Sequence, residues 1–215
     1  MTRTAVFGGS FNPIHFGHLV MADEMVEQLR LDRVLFVPAA APPHKPAASL
    51  APAEDRCEMV RLAVAGHPRF EVSDLELRRS GPSFTVDTLE ALHRPGQELV
   101  LLIGSETFLD LLSWRQPRRI VELARLAVVP RTGSVFDPES TAAQKVLREI
   151  GAERFVGAAD ARAPRSVVIV HATSLPISSS ELRARAREGR SLAYRTPDAV
   201  IAYIRRRRLY AGGAS

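Results

Sequence analysis

The sequence predicts an α/β protein: a Rossmann-like, doubly wound parallel sheet with helices on both faces and a small helical C-terminal subdomain. Three observations carry that prediction. Short apolar runs alternate with helical patterns along most of the chain. Runs such as Val100-Leu101-Leu102-Ile103 are apolar without alternation, as strands buried on both faces require. The first strand candidate runs into a glycine turn and then an amphipathic helix, the local build of an anion site at the carboxyl end of a parallel strand.

The expected strands are Thr4–Phe7, Arg33–Pro38, Phe70–Ser73, Glu98–Ile103, Leu126–Pro130 and Ser166–Val170. Between them lie helical patterns at His18–Leu29, Ala53–Ala65, Thr85–Leu92, Ile120–Ala124 and Glu139–Ile150, which supply the crossovers a parallel sheet needs. The segment Ala39–Pro52 carries Pro42-Pro43-His44-Lys45-Pro46; its prolines forbid a helix and favour an extended path over the surface. Gly157–Pro164 lacks an apolar period and reads as a second, mobile loop. From Ile177 onward the pattern is helical. The expected division is therefore residues 1–176 and 177–215, acting as a single functional unit.

A chain of 215 residues with 46 % apolar content can bury a sizeable core. It has no apolar run of about 18 residues, so no membrane span or membrane partner is expected. The chain enters its first strand pattern with no basic-then-apolar leader. The single cysteine, Cys57, allows no intrachain disulfide and fits a cytoplasmic location; on a helical pattern it reads as a small core residue. The net charge of +5 suits an anionic substrate or a nucleic acid. The one basic run, Arg205–Arg208, follows the helical Ala199–Ile204 and has no aromatic residues interleaved. It reads as a solvated helix end that complements the helix dipole, and nucleic acid is not expected as a partner. No feature of the sequence sets an oligomeric state.

The chemistry concentrates in two places. Gly8-Gly9-Ser10-Phe11 leads through Asn12-Pro13-Ile14 to His15 and His18. The glycines let the backbone approach an anion, and the first-turn N–H groups of the following helix point at it. The histidines have two readings. They could ligate zinc, which needs further ligands at suitable spacing. Alternatively both imidazoles donate to phosphate oxygens and stabilise charge in a transition state, and the glycine turn beside them favours this. In the second place, Ser178 and Glu181 form a capping-box pattern that starts a helix. The plain reading of Ile177-Ser178-Ser179-Ser180-Glu181-Leu182-Arg183 is a cap alone. The fuller reading has its hydroxyls, N–H groups and guanidinium facing a polyphosphate.

Gly9 through His18 and Ile177 through Arg183 match in full two motifs, G-x-F-x-P-x-H-x-G-H and I-S-S-[ST]-x-[IL]-R. On these residues the chain resembles the nucleotidyltransferase superfamily. Within it, it is most similar to the bacterial nicotinate-nucleotide adenylyltransferases. Pro42-Pro43-His44-Lys45 carries this narrower likeness, with Glu76-Leu77-Arg78, Pro82-Ser83-Phe84-Thr85, Thr88-Leu89, Leu102-Ile103-Gly104, Trp114, Tyr203-Ile204 and Leu209-Tyr210. The likeness spans nearly the whole chain.

The resemblance implies transfer of the adenylyl group of ATP to nicotinate mononucleotide, giving deamido-NAD and pyrophosphate, with Mg²⁺ carried in on the ATP and no metal held by protein ligands. It implies that Gly8, Gly9, Ser10 and Phe11 form the ATP cradle and that His15 and His18 contact its phosphates. Ser179, Ser180 and Arg183 take the β and γ phosphates beside Ile177, and His15, His18 and Arg183 are the catalytic set. Lys45 reaches a substrate phosphate, although an exposed loop cation is the plain alternative. Substrate discrimination lies with Ser83, Phe84, Thr85 and Trp114: the Phe84 and Thr85 backbone N–H groups receive the nicotinate carboxylate, and Trp114 stacks on the pyridine, with core packing as its alternative. Gly104 and Glu106 lie on the adenosine side. Two positions depart from the family pattern: Phe84 stands where tyrosine is common, and Glu106 where aspartate is usual. Sister families differ: phosphopantetheine adenylyltransferases usually have threonine for the first histidine, and cytidylyltransferases lack the Pro-Ser-aromatic-Thr stretch.

Overall fold

The computed structural model describes residues 1–43, 46, 49–130 and 136–211. Its centre is a parallel sheet of seven strands among the described residues, in the order β3-β2-β1-β4-β5-β7-β6. The strands are β1 (Thr2–Gly9), β2 (Arg33–Pro38), β3 (Phe70–Val72), β4 (Gln97–Gly104), β5 (Ala124–Val129), β6 (Arg154–Gly157) and β7 (Ser166–Ile169). The helices are α1 (Phe16–Gln28), α2 (Ala53–Val64), α3 (Thr85–Leu92), α4 (Ser105–Leu109), α5 (Pro117–Leu123), α6 (Thr141–Glu149), α7 (Ser179–Arg187) and α8 (Asp198–Arg206).

Two cores follow from the period of two along each strand. Ala5 and Phe7 of β1, with Val100 and Leu102 of β4, face α1, α2, α7 and α8 through Met25, Met59, Val60, Leu182 and Ile204. Val6, Leu99, Leu101 and Ile103 face the other way, against Leu89 of α3, Phe108 of α4, Ile120 of α5 and Leu147 of α6. Apolar residues at both parities are what made these strands unbroken apolar runs. Cys57 sits in α2, fully buried, and burial pushes its thiol pKa up, so it is a core residue.

From β1 the chain winds outward to β2 and β3, then returns to β1's other side for β4 and β5. The winding reverses between β1 and β4. Their carboxyl ends, Gly8-Gly9 and Gly104, therefore flank the crevice where open sheets of this kind bind ligands. The opposite end of the sheet is tied by charge. Glu98 accepts from Arg3 Nε at 2.7 Å and from Arg125 Nε at 3.1 Å, and Arg3 also contacts the Leu29 carbonyl. Burial works against ionisation of Glu98, but the hydrogen bonds from Arg125 and Arg3 outweigh it and hold the carboxyl below its ordinary range.

Gly157–Pro164 is not the mobile loop expected. It begins with the last residue of β6 and continues into a 3₁₀ turn over Ala158–Asp160, and Ala161 is buried in the first core. β6 and α4 had no counterpart in the sequence pattern. The arginine run behaves as a helix end: Arg206 lies over the Tyr203 ring and Arg207 donates to the buried Asp55 at 3.0 Å. No helix among the described residues is long and apolar enough to cross a membrane.

Candidate active site

Beyond β1 the chain turns sharply. Phe11 adopts a left-handed φ of 42° and buries its ring against Phe7 and Phe36, with centroids 5.4 and 5.9 Å away. The Asn12-Pro13 peptide is cis. A Cβ on Gly9 would come 3.1 Å from the Phe11 ring, so a side chain there would press on that buried ring. Gly8 differs: an added Cβ would meet nothing within 4 Å. The open space at Gly8 lies over the crevice end of β1, where a ligand can approach the backbone.

His15 is the N-cap of α1, whose first turn carries no acidic residue, as an anion-facing helix start requires. The His15 and His18 rings stack with centroids 3.7 Å apart, and Phe11 packs edge-on against His18 at 5.2 Å. His18 Nδ1 accepts from the His15 backbone N–H at 3.3 Å. In the neutral ring that bond leaves the proton on Nε2, a donor for an anion. Gly17 lets the His15 ring lie against the helix, since a Cβ there would fall 3.1 Å from its Nδ1. Among the described residues no group of three His, Cys, Asp or Glu side chains is arranged to hold a metal ion.

The second motif reaches the first directly. Ser179 Oγ donates to the Pro13 carbonyl at 2.8 Å and Arg183 Nη1 to the Asn12 carbonyl at 2.8 Å. Just before α8, Thr196 Oγ1 donates to the Ile14 carbonyl at 2.8 Å, and the Arg195 carbonyl accepts from Phe16 N at 2.9 Å. Three consecutive carbonyls of the turn are thus taken up by the C-terminal segment. Arg183 Nη2 also donates to Ser180 Oγ at 3.2 Å, leaving the guanidinium half-buried beside an exposed serine. Only half of the expected capping box forms. Ser178 Oγ accepts from Glu181 N at 3.1 Å, but the Glu181 carboxylate is drawn to Arg195 and Arg185 instead.

Two residues that the sequence reading passed over hold this turn. Asn12 accepts at Oδ1 from Ala51 N at 3.1 Å and from the Tyr210 hydroxyl at 2.8 Å, and donates from Nδ2 to the Ser49 carbonyl at 3.0 Å. Burial raises the Tyr210 pKa far above the usual phenol range, so it stays a donor. Arg56 of α2 is 1 % exposed and binds four carbonyls, among them Ser10 at 2.8 Å. Desolvation lowers its pKa from a high starting point. Neither residue could be found from spacing, because their partners are main-chain atoms of distant segments.

The other expected cradle lies at the start of α3, with Thr85 its first residue and Phe84 its N-cap. Here the structure corrects part of the expectation. The Phe84 N–H donates to the Pro82 carbonyl at 3.1 Å in the tight reversal after Gly81, so it is not a ready donor for a carboxylate. Ser83 is a brace: its N–H donates to the Ala41 carbonyl at 3.0 Å and its Oγ accepts from Ala41 N at 3.2 Å. Thr85 heads the helix, where N–H groups have no intrahelical partner. Behind it, Thr88 Oγ1 donates to the buried Glu76 at 2.6 Å, and Arg79 Nη2 donates to Thr88 Oγ1 at 3.3 Å and the Phe84 carbonyl at 3.5 Å. Half-buried Trp114 packs against the second core; its neighbour Arg115 lies 5.0 Å over the Phe84 ring, which brings the two segments together. Gly104 ends β4 and exposed Glu106 sits in the first turn of α4, at the crevice end of the sheet. Lys45 lies outside the described residues.

Residues 6–185 match the cytidylyltransferase-like family model. A protein from Geotalea daltonii, named "Probable nicotinate-nucleotide adenylyltransferase", is 44 % identical, covering 98 % of this chain and 99 % of its own. One of the same name from Thermus thermophilus is also 44 % identical, covering 97 % of this chain and 99 % of its own. The Plasmodium falciparum nicotinic acid mononucleotide adenylyltransferase complexed with NaAD superposes with a TM-score of 0.70 at 20 % identity, over 98 % of each chain, which supports the fold alone. With its sheet order, its joined motifs and this full-length likeness, the chain belongs to the cytidylyltransferase-like family, in the group of these nicotinate-nucleotide adenylyltransferases.

Proposed function

We propose that the protein transfers the adenylyl group of ATP to nicotinate mononucleotide, forming deamido-NAD and releasing pyrophosphate. One observation supports this most: Ser179 and Arg183 bond to the carbonyls of Pro13 and Asn12, so the two turns proposed to grip anions lie against one another. Such a pair suits a polyphosphate held at both ends. An oxygen of the mononucleotide 5′-phosphate attacks the α-phosphorus of ATP. The new P–O bond forms as the bond to the β-phosphate bridging oxygen breaks, and the electron pair leaves with pyrophosphate. A phosphate is already a nucleophile at neutral pH, so this chemistry asks for alignment and charge neutralisation, not for a general base.

In this reading His18 Nε2 donates at the α-phosphate, His15 supports it by stacking, and Ser180 and Arg183 take the β and γ phosphates. Gly8 and Gly9 admit the nucleotide against the backbone. The Thr85 N–H and the positive end of α3 receive the pyridine carboxylate, with Trp114 stacking on the ring. In this reading a divalent ion arrives with the ATP, held by phosphate and water. Bound there, Mg²⁺ would draw charge from the β and γ phosphates. A cytoplasmic location is consistent with the lone buried cysteine.

Pyrophosphate release with ATP tests the proposal when nicotinate mononucleotide and nicotinamide mononucleotide are compared side by side. The acid should be the preferred acceptor, because an amide turns an N–H donor toward donors. Equal rates would overturn the acceptor assignment.

A further inference from the structure

We propose that Arg56 is a positioning residue that sets the spacing between the phosphate turn and the α3 cradle. This rests on the adenylyl-transfer reading, in which those two places hold the two reacting nucleotides. The Arg56 guanidinium lies inside the protein and spends its donors on carbonyls alone. Nε donates to Ala51 at 2.9 Å, Nη1 to Ser10 at 2.8 Å and Ala39 at 2.6 Å, and Nη2 to Ala40 at 3.0 Å. No carboxylate of the described residues forms an ion pair with it. Burying a cation without a direct ion pair is unfavourable, so its place in the core calls for a reason beyond packing.

The acceptors supply that reason. Ser10 belongs to the turn that would cradle ATP. Ala39 and Ala40 follow β2, and Ala39 N also donates to the Gly9 carbonyl at 2.8 Å. The next residue, Ala41, exchanges two hydrogen bonds with Ser83, immediately before Phe84 and Thr85. A continuous strut therefore runs from Ser10 through Arg56, Ala40, Ala41 and Ser83 to the start of α3. In-line displacement is sensitive to the separation of the reactants, and a misplacement of about 1 Å can cost about 10²-fold in rate. A planar fork with fixed donor directions can hold three segments at set distances, which a lysine ammonium on a flexible stem cannot.

The experiment uses full-length Arg56→Lys and Ser83→Ala proteins. Affinities for ATP alone and for nicotinate mononucleotide alone are measured by calorimetry, and kcat at saturation by pyrophosphate release. A strut predicts a kcat loss on the order of 10²-fold for Arg56→Lys with each separate affinity preserved. Ser83→Ala should lower kcat in the same direction with KM for the mononucleotide unchanged, and the double variant should fall short of the product of the two losses. Weakened affinity with kcat preserved would overturn the proposal. If Arg56→Lys does not fold, Ser83→Ala decides: full kcat, or a loss confined to KM, overturns it. A parent protein inactive on nicotinate mononucleotide would sink the reaction itself, whereas an active parent with full kcat in both variants sinks only the strut.

Discussion

Arg183 donates to the carbonyl oxygen of Asn12 at 2.8 Å, across 171 residues of sequence. Asn12 in turn accepts from Tyr210 through its side chain. The loop that follows the first strand is thus shaped by the last two helices and the residues after them, and the chemistry assigned to that loop depends on distant parts of the chain.

His18→Ala should reduce kcat by about 10²- to 10³-fold, the cost of removing one donor aimed at developing charge. Because His18 is half-buried and not central to either core, the thermal midpoint should stay close to the parent value. Steady-state pyrophosphate release together with a calorimetric melt checks both halves. A kcat near the parent value would remove His18 from the mechanism.

Thr88→Val keeps shape but deletes the hydroxyl that donates to Glu76 at 2.6 Å. Glu76 Oε2 already has no hydrogen-bond partner, so the buried carboxylate would lose its short bond to Thr88. A destabilisation on the order of 2 kcal/mol is expected in urea titrations. Turnover should fall with it while KM for ATP stays at the parent value, since the start of α3 loses a brace.

Acid should act through Glu98. Its folded-state pKa is depressed, because the hydrogen bonds from Arg125 and Arg3 outweigh burial. The stability it contributes is therefore present above the unfolded-state value, about 4.3, and is lost as pH falls through the lower folded-state value. Glu98→Gln should lower the urea midpoint at pH 7 and give a shallower decline between pH 5 and pH 3. Parallel acid limbs for the two proteins would refute this.

Tyr210→Phe removes the donor 2.8 Å from Asn12 Oδ1 while leaving the Ala51 N–H in place. The expected cost is about 1 kcal/mol, or a fall of roughly 2–4 °C in thermal midpoint for a chain of this size. Turnover should fall with it, because the same asparagine carries the carbonyl that orients Arg183.

Much of this was legible in the sequence where one residue type can do only one thing. Unbroken apolar runs marked β1, β2, β4, β5 and β7. Strand β6 escaped because it is a short edge strand with only Phe155 and Val156 half-buried, so its apolar signal is weak. His15, His18 and Arg183 were readable from their motifs; the two imidazoles stack, and Arg183 bonds to the Asn12 carbonyl of the turn that leads to them. Arg56 and Asn12 were not, since their work is done on carbonyls whose positions exist only after folding. Phe84 N–H failed as a free donor for a related reason: the Gly81-Pro82 reversal turns its partner carbonyl back upon it.

The bonds from Ser179, Arg183, Thr196 and Tyr210 to the opening loop bear on synthesis as well. A nascent polypeptide that has cleared the ribosome only as far as β7 has every strand of its sheet but none of these four anchors. It should be catalytically silent until its final helix emerges. Timing of activity during translation would then be set by these late anchors, even though the turn proposed to hold the phosphates is made early.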